Sequence, residues 1–536
     1  MSPRTVDAVV IGAGHHGLVA AALLADAGWD VLVLEGRAKP GGAVASRTID
    51  GFVVDDFSSC YPLGKASPVL QSLELDEHGL VWADRRPAVV HVADAADGVG
   101  TVVEATPEAT ATALEADHEG DGEAWLKLTS GWHRVKEPLL DALLQGWPPV
   151  GAGARLARVL GAAGLLDFAR FALLPSDRMG QEWFGGSRGP DILAGNAAHA
   201  DVSPLAPVSG LLGFLMSMMA QEVGFPVPRG GAASLAEALA SRARTAGAIL
   251  EFDSPVASII VSDGRAGGVA LADGTEVRAR RAVIADVSAP ALYEELLPSY
   301  AVPAGLRARM DRFLWDPPTL KLNLQLAGPM PWRAARAREA AVVHAGLSAR
   351  GLVGWHADIA TGRVPERAFA LVGQMTTADP TRSPAGTESL WAYTHLPKVA
   401  DEVAVEASGA SLASIEAMFD DLAPGWRDLE QGRWVQTPQD LAGANPSLVD
   451  GALGAGTSQL FQQGPWRPVS GLGGPITHVQ GLYLASAATH PGGGVHGGAG
   501  FSAARAALRD SRWWSRPFGV AASKAQELLQ RREPDF

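Results

Sequence analysis

The chain has 536 residues, 47% of them hydrophobic, and a formal net charge of −14. That length exceeds one ordinary core, so two domains are expected, and an acidic chain without a basic run of five or more is a poor partner for nucleic acid, whose phosphates need clustered Lys and Arg. Cys60 is the sole cysteine, which excludes an intrachain disulfide, a dithiol redox centre and a cysteine-based metal cluster.

Residues 7–11 form a short, mostly apolar, β-branched run that reads as a buried parallel strand. Because Asp7 precedes this run and glycines follow it, it does not read as a signal segment, and a cytoplasmic protein is expected. Gly12-Ala13-Gly14-His15-His16-Gly17 comes next, then an Ala- and Leu-rich helix over 18–27 closed by Gly28. Val31–Leu34 is the second strand, ending at Glu35. In this context Gly12 permits a tight turn, Gly14 lets the backbone approach a pyrophosphate, and Gly17 lets helix and strand pack closely. The helix N-terminus favours phosphate charge. Glu35 lies about 20 residues on, where an acid binds ribose hydroxyls and disfavours a 2′-phosphate, which argues against NADP. Spacing alone leaves FAD and NAD both open. Gly36 and Arg37 follow, then Gly41-Gly42-Ala43; this doublet either lets a long cofactor pass close to the backbone or is an ordinary Pro-Gly turn.

GAGHHGL, Glu35 and the PGGA doublet resemble the phytoene desaturase-type family of FAD-dependent oxidoreductases. The nearest branch holds pyridine nucleotide-disulphide oxidoreductase domain-containing protein 2 and the desaturase-like carotenoid ketolases. Members typically carry GAGHNGL, where this chain has His16 for the Asn, and typical desaturases carry GGR, where this chain has Gly41-Gly42-Ala43. The resemblance implies bound FAD, held by Gly12, Ala13, Gly14, His16, Gly17, Glu35, Gly36, Arg37, Gly41, Gly42 and Ala43. It also implies an α/β fold in which a Rossmann-like FAD-binding domain of the amine-oxidase type is interleaved with an α+β substrate domain.

Residues 151–174 read as a helix with an apolar face, and 205–220 as a Met-rich apolar stretch shorter than the roughly 20 residues that span a bilayer. These stretches could line a tunnel for a long apolar substrate, touch a membrane surface, or simply build the core of a helical cap. Residues 228–252 read as loop, helix and strand. Residues 254–286 then alternate as a β-meander with Asp-Gly turns at 263–264 and 273–274. By resemblance this segment returns to the FAD domain, and the backbone of Val256 contacts adenine. Thr319–Leu326 alternates as a strand with Lys321 and Asn323 on one face; Lys321 is either a solvated strand lysine or, as in some amine-oxidising relatives, holds a water near the flavin.

The C-terminal segment 481–508 resembles the family's THPGGGV-G stretch. On that resemblance 481–484 is a strand, Gly492, Gly493 and Gly494 cross the flavin, and a helix starting near Val495 aims its N–H groups at the flavin's pyrimidine edge. His490 and His496 flank the glycine run and are acid/base candidates. Trp513-Trp514 reads as a membrane-surface pair, a core cap or a dimer contact. There is no GxSxG, HExxH or GxxxxGK[ST], and the thirteen histidines show no metal-ligand spacing.

The reading is an FAD domain of 1–90, 228–297 and 471–510, a substrate domain of 91–227 and 298–470, and a tail of 511–536. The activity expected is two-electron dehydrogenation of a small apolar, carotenoid- or isoprenoid-like substrate, with catalytic candidates His496, His490 and Lys321, and with oxygen or a quinone as electron acceptor. Peripheral membrane contact and a homo-oligomer stay open. Alternatives are a carotenoid ketolase, a flavin-dependent isomerase, an amine or amino-acid oxidase, and a flavin-binding interaction protein without turnover.

Overall fold

The computed structural model describes residues 4–84 and 86–533; residues 1–3, 85 and 534–536, parts of the first and last segments drawn above, lie outside the described residues. Two seven-stranded sheets organise the chain. In the first, Arg4–Ile11 lies parallel to Val31–Leu34 on one side and to Glu276–Ala285 on the other. Ile249–Glu251 extends it beyond Val31–Leu34, and Leu482–Leu484 pairs with Glu276–Ala285, both in parallel. The hairpin Val256–Ser262 and Arg265–Leu271 completes it in antiparallel pairing. Helices His15–Asp26, Ala232–Thr245 and Gly498–Ser511 pack on one face through small side chains, among them Ala20, Ala21, Ala236, Ala240, Ala503 and Ala504. Both faces of the central strands are buried, which is why the segments read as unbroken apolar runs.

The second sheet is mostly antiparallel. Thr319–Leu326 sits between Glu430–Gln436 and Glu388–His395, and the order continues through Ala370–Gln374, Val342–Ala345, Val89–Val92 and Thr101–Val103. Side chains alternate across a strand. Leu320, Leu322, Leu324 and Leu326 therefore enter a core with Trp332, Phe419 and Trp426. Lys321 and Gln325 face the other way, toward the hairpin Ser46–Ile49 and Phe52–Asp55: Gln325 donates to the Ile49 carbonyl at 3.1 Å and Lys321 to that of Asp55 at 2.6 Å.

Several expectations need correction. Residue 90, drawn as a boundary, falls inside Val89–Val92, which is paired with Val342–Ala345 of the second sheet. The first helix begins at His15 rather than residue 18. The helix over Val150–Leu173 is broken at Gly161 (φ 69°) and only Ala152 is fully buried; Leu156, Leu160, Phe168 and Phe171 pack half-buried on the cap core, while Leu166 is 72% exposed. By contrast, Phe214, Leu215, Met218 and Met219 of the helix Ser209–Glu222 are buried in a cap core. Trp513 and Trp514 are exposed and do not cap the core. No helix among the described residues is long and apolar enough to cross a membrane.

Candidate active site

The first strand ends at Ile11 and the chain turns through Gly12 at φ 91°, a conformation that suits glycine. A Cβ on Gly14 would stand 2.4 Å from the Asp286 carboxylate, and one on Gly17 2.3 Å from the Gly12 carbonyl, so neither position has room for a side chain. The second glycine loop closes onto the first. The Gly41 amide donates to the Ala13 carbonyl at 2.8 Å, and the bare Cα of Gly14 faces Gly42. Glu35 accepts from the amides of Ala13 (2.7 Å) and Arg37 (3.0 Å), which fixes its carboxylate at the lip of the turn. Gly36 packs on Pro255, and the Ser254 amide donates to the Glu35 carbonyl at 2.8 Å, which brings the start of the Val256 strand to the same lip. The Arg37 guanidinium donates to the Ala444 carbonyl.

The third piece comes from the C-terminus. Gly492 lies against the Arg467 guanidinium, Gly493 against Gly454, and Gly494 beside Leu63 and His496. The Val495 carbonyl touches Gly64. The helix starts at Gly498, three residues later than expected, because the His496 ring takes the Gly498 amide at 3.0 Å and Gly497 adopts φ 76°. A Cβ on Gly500 would meet the His16 carbonyl at 2.0 Å, so this helix lies directly on the first one. Beside the loops, His15 Nε2 is buried without a hydrogen-bond partner among the described residues. Close-packed glycines, a fixed acid and an orphaned imidazole nitrogen fit a dinucleotide with a polar pyrophosphate.

Sequence reasoning did not single out Asp286 as a site residue. It ends the strand Glu276–Ala285, its carboxylate accepts from the Gly17 amide at 2.8 Å, and burial pushes it up to about 7.

A cavity of about 200 Å³ opens beside this cradle. Ala43 and residues 57–60 form one wall; Thr319, Lys321, Trp391 and Tyr393 form another, with Met216 and Phe225 from the cap. The second wall follows from register: Thr319 lies opposite His395, Lys321 opposite Tyr393, and Asn323 opposite Trp391, so one face of two strands is presented. Lys321 is not solvated. It is buried and donates to the Asp55 and Phe57 carbonyls; burial pulls its ammonium down to about 8, against the opposing pull of Asp55 and Asp56. Burial pushes the Cys60 thiol up to about 12, leaving it neutral.

His490 and His496 are not among the residues that line the cavity. The His490 ring hydrogen-bonds the Ala142 carbonyl at 3.0 Å and packs on Trp147. The His496 ring is fixed between the Gly492 carbonyl and the Gly498 amide, and burial takes it down to about 3. The histidine that does line the cavity is His199, its Nε2 2.8 Å from that of His344; His395, also passed over in the sequence, lies behind Thr319. Its Nδ1 is 3.3 Å from the Thr319 hydroxyl and its Nε2 is 2.6 Å from Asp201. The alternation Trp391, Tyr393, His395 in one strand was the available signal.

Residues 10–73 match the NAD(P)-binding Rossmann-like domain, and residues 102–509 match the flavin containing amine oxidoreductase family. Pyridine nucleotide-disulfide oxidoreductase domain-containing protein 2 of Rattus norvegicus is 30% identical over 94% of this chain and 93% of its own length. The zeta-carotene-forming phytoene desaturase of Myxococcus xanthus is 28% identical over 91% of this chain and 90% of its own. Putrescine oxidase bound to putrescine superposes with a TM-score of 0.60 at 17% identity, over 94% of this chain and 98% of that one, a likeness of fold.

Proposed function

Because the chain belongs to the flavin containing amine oxidoreductase family, it is an FAD-dependent oxidoreductase, and we propose that it removes two hydrogens from an apolar, isoprenoid- or carotenoid-like substrate to leave a carbon–carbon double bond. The observation that carries this reading is the cavity lining. Beside Ala43 of the cofactor loop the walls are largely aromatic and aliphatic, and Lys321, the one charged side chain among them, is turned onto the Asp55 and Phe57 carbonyls. The likeness to a phytoene desaturase over most of both chains supports it. Bound FAD supplies the two-electron sink. The glycine loops would hold its pyrophosphate and Glu35 its ribose, while the walls exclude water and hold a C–H bond in place. The cavity measures about 200 Å³. It suits a small terpenoid, or one segment of a longer chain whose remainder lies outside. Oxygen or a quinone would then take the electrons.

The test mixes FAD-loaded protein with phytoene in detergent, without oxygen. Bleaching of the oxidised flavin band and a product lighter by two hydrogens are expected. In a parallel incubation with air a product that gains oxygen would indicate a ketolase; a product of unchanged mass would indicate an isomerase, and failure of any electron acceptor to reoxidise the chemically reduced flavin a non-catalytic flavin binder.

A second reading, amine oxidation, is favoured by Trp391 and Tyr393, stacked at 5.8 Å between ring centroids on the cavity wall. Bleaching by putrescine and not by phytoene would select it.

A further inference from the structure

We propose that the Thr319 hydroxyl, backed by His395 and Asp201, takes the proton that dehydrogenation releases; this rests on the dehydrogenase reading above. A C–C bond becomes a C=C bond only if two hydrogens leave, one with an electron pair and one as a proton. The flavin accounts for the first. The second needs a base within reach of the cavity. His199 also lines it, but burial pulls that ring down to about 4 and its Nε2 faces His344 at 2.8 Å, which makes it a weak proton acceptor, whereas Thr319 hydrogen-bonds a buried histidine held by a carboxylate.

The connection is built by the sheet. Thr319 and His395 are cross-strand partners whose side chains share a face, and both are buried. Asp201 arrives from the short helix Ala198–Ala200 at φ 56°, which turns its carboxylate onto Nε2. With Nε2–H donating to Asp201, Nδ1 is left to accept from Thr319, the tautomer a base requires. The surroundings favour the ring after it has gained a proton. Burial opposes the charge, but Asp201, Asp316 and the Pro318 carbonyl outweigh it, so the imidazole titrates above its ordinary value. The other titratable neighbours are His356, from the helix Ala349–Ala360, and Tyr393, from the same strand. Arg467 stands behind Asp316.

The step balances. One C–H bond gives its hydrogen and both electrons to the cofactor. The adjacent C–H bond loses a proton to Thr319 Oγ1 while that hydroxyl passes its own proton to His395 Nδ1. The electron pair left on carbon closes the double bond, and the imidazolium faces Asp201. Its proton leaves to solvent, and oxygen or a quinone takes the two electrons. Thr319 is the catalytic residue here; Asp201 is a positioning residue.

The experiment uses full-length, FAD-loaded protein with two readouts. By ¹⁵N-histidine NMR, His395 should titrate above 6.5, and Asp201→Asn should lower that value by about one unit or more. With phytoene under anaerobic conditions, Thr319→Val should slow flavin bleaching by about 100-fold or more at unchanged flavin content, while Thr319→Ser stays within about 10-fold. Activity should rise with pH as His395 loses its proton, and Asp201→Asn should move that limb to lower pH by the same amount as the NMR value. A reactive wild type with an unimpaired Thr319→Val, or a His395 that ignores Asp201→Asn, overturns the relay. A wild type that phytoene does not bleach sinks the dehydrogenase reading, and the relay's substrate role with it.

Discussion

Around the glycine loops, His15 is pulled down to about 4 and His496 to about 3, and His16 lies well below its ordinary value, because burial strips water from them and no carboxylate is placed to compensate. Within the antiparallel sheet, His395 is just as buried yet moves the other way, with Asp201 2.6 Å from its ring. Asp201 at contact distance, joined by Asp316 and the Pro318 carbonyl, therefore decides the sign. The histidines around the cofactor loops are thus neutral rings, with Glu35 and Arg37 as charged groups at the lip. Behind the cavity wall, His395 is an imidazole whose surroundings favour its charged form.

The largest effect expected tests the cavity side. Arg382 and Asp55 form an ion pair with neither side chain exposed, and Asp55 also takes the Ala232 amide. Arg382→Met removes the contact partner of a buried carboxylate, leaving it the Ala232 amide and the field of Lys321, and should cost about 3–5 kcal/mol, read from denaturant midpoints; a loss under about 1 kcal/mol would break the contrast. On the cradle side, Asp286 titrates near 7 in the fold against 3.8 in the unfolded chain. The unfolded chain releases that proton first, so the wild type should lose stability as pH rises from about 4 to 7. Asp286→Asn should lack this loss and be more stable at pH 8 by on the order of 2–4 kcal/mol. Equal pH curves for the two proteins would refute the assignment.

Gly14→Ala drives a methyl group toward Asp286. Overpacking of about 1–3 kcal/mol should weaken FAD retention roughly 10- to 100-fold, measured as flavin absorbance per chain. The smallest effect is a null shift. His496→Gln removes a ring that stays neutral at working pH, so the rising limb of the activity profile should stay within about 0.3 unit. A larger move would return His496 to proton chemistry.

The cradle was legible because its signal is local. Gly12, Gly14, Gly17 and Glu35 sit within one strand–helix–strand unit, and glycine identity itself reports close approach. The alternation of Thr319–Leu326 was legible for the same reason, although its burial was not: Lys321 reads as a surface lysine until the hairpin ending at Asp55 is laid over it. The relay was hidden. Thr319 and His395 are 76 residues apart and Asp201 is 194 from His395, so only strand register and a left-handed turn unite them. His490 and His496 looked reactive by adjacency to glycines, but backbone partners hold their rings.

Gly500 packed on the His16 carbonyl has a consequence for biosynthesis. One flank of the cradle around the first glycine turn is made by the helix Gly498–Ser511, almost 500 residues further along the chain, so the turn is synthesised long before its partner. At about 5–20 residues per second, the opening segment waits roughly half a minute or more for its partner. Flavin capture is therefore expected to wait until that helix has been made, with nascent chains that stop before it unable to retain the cofactor.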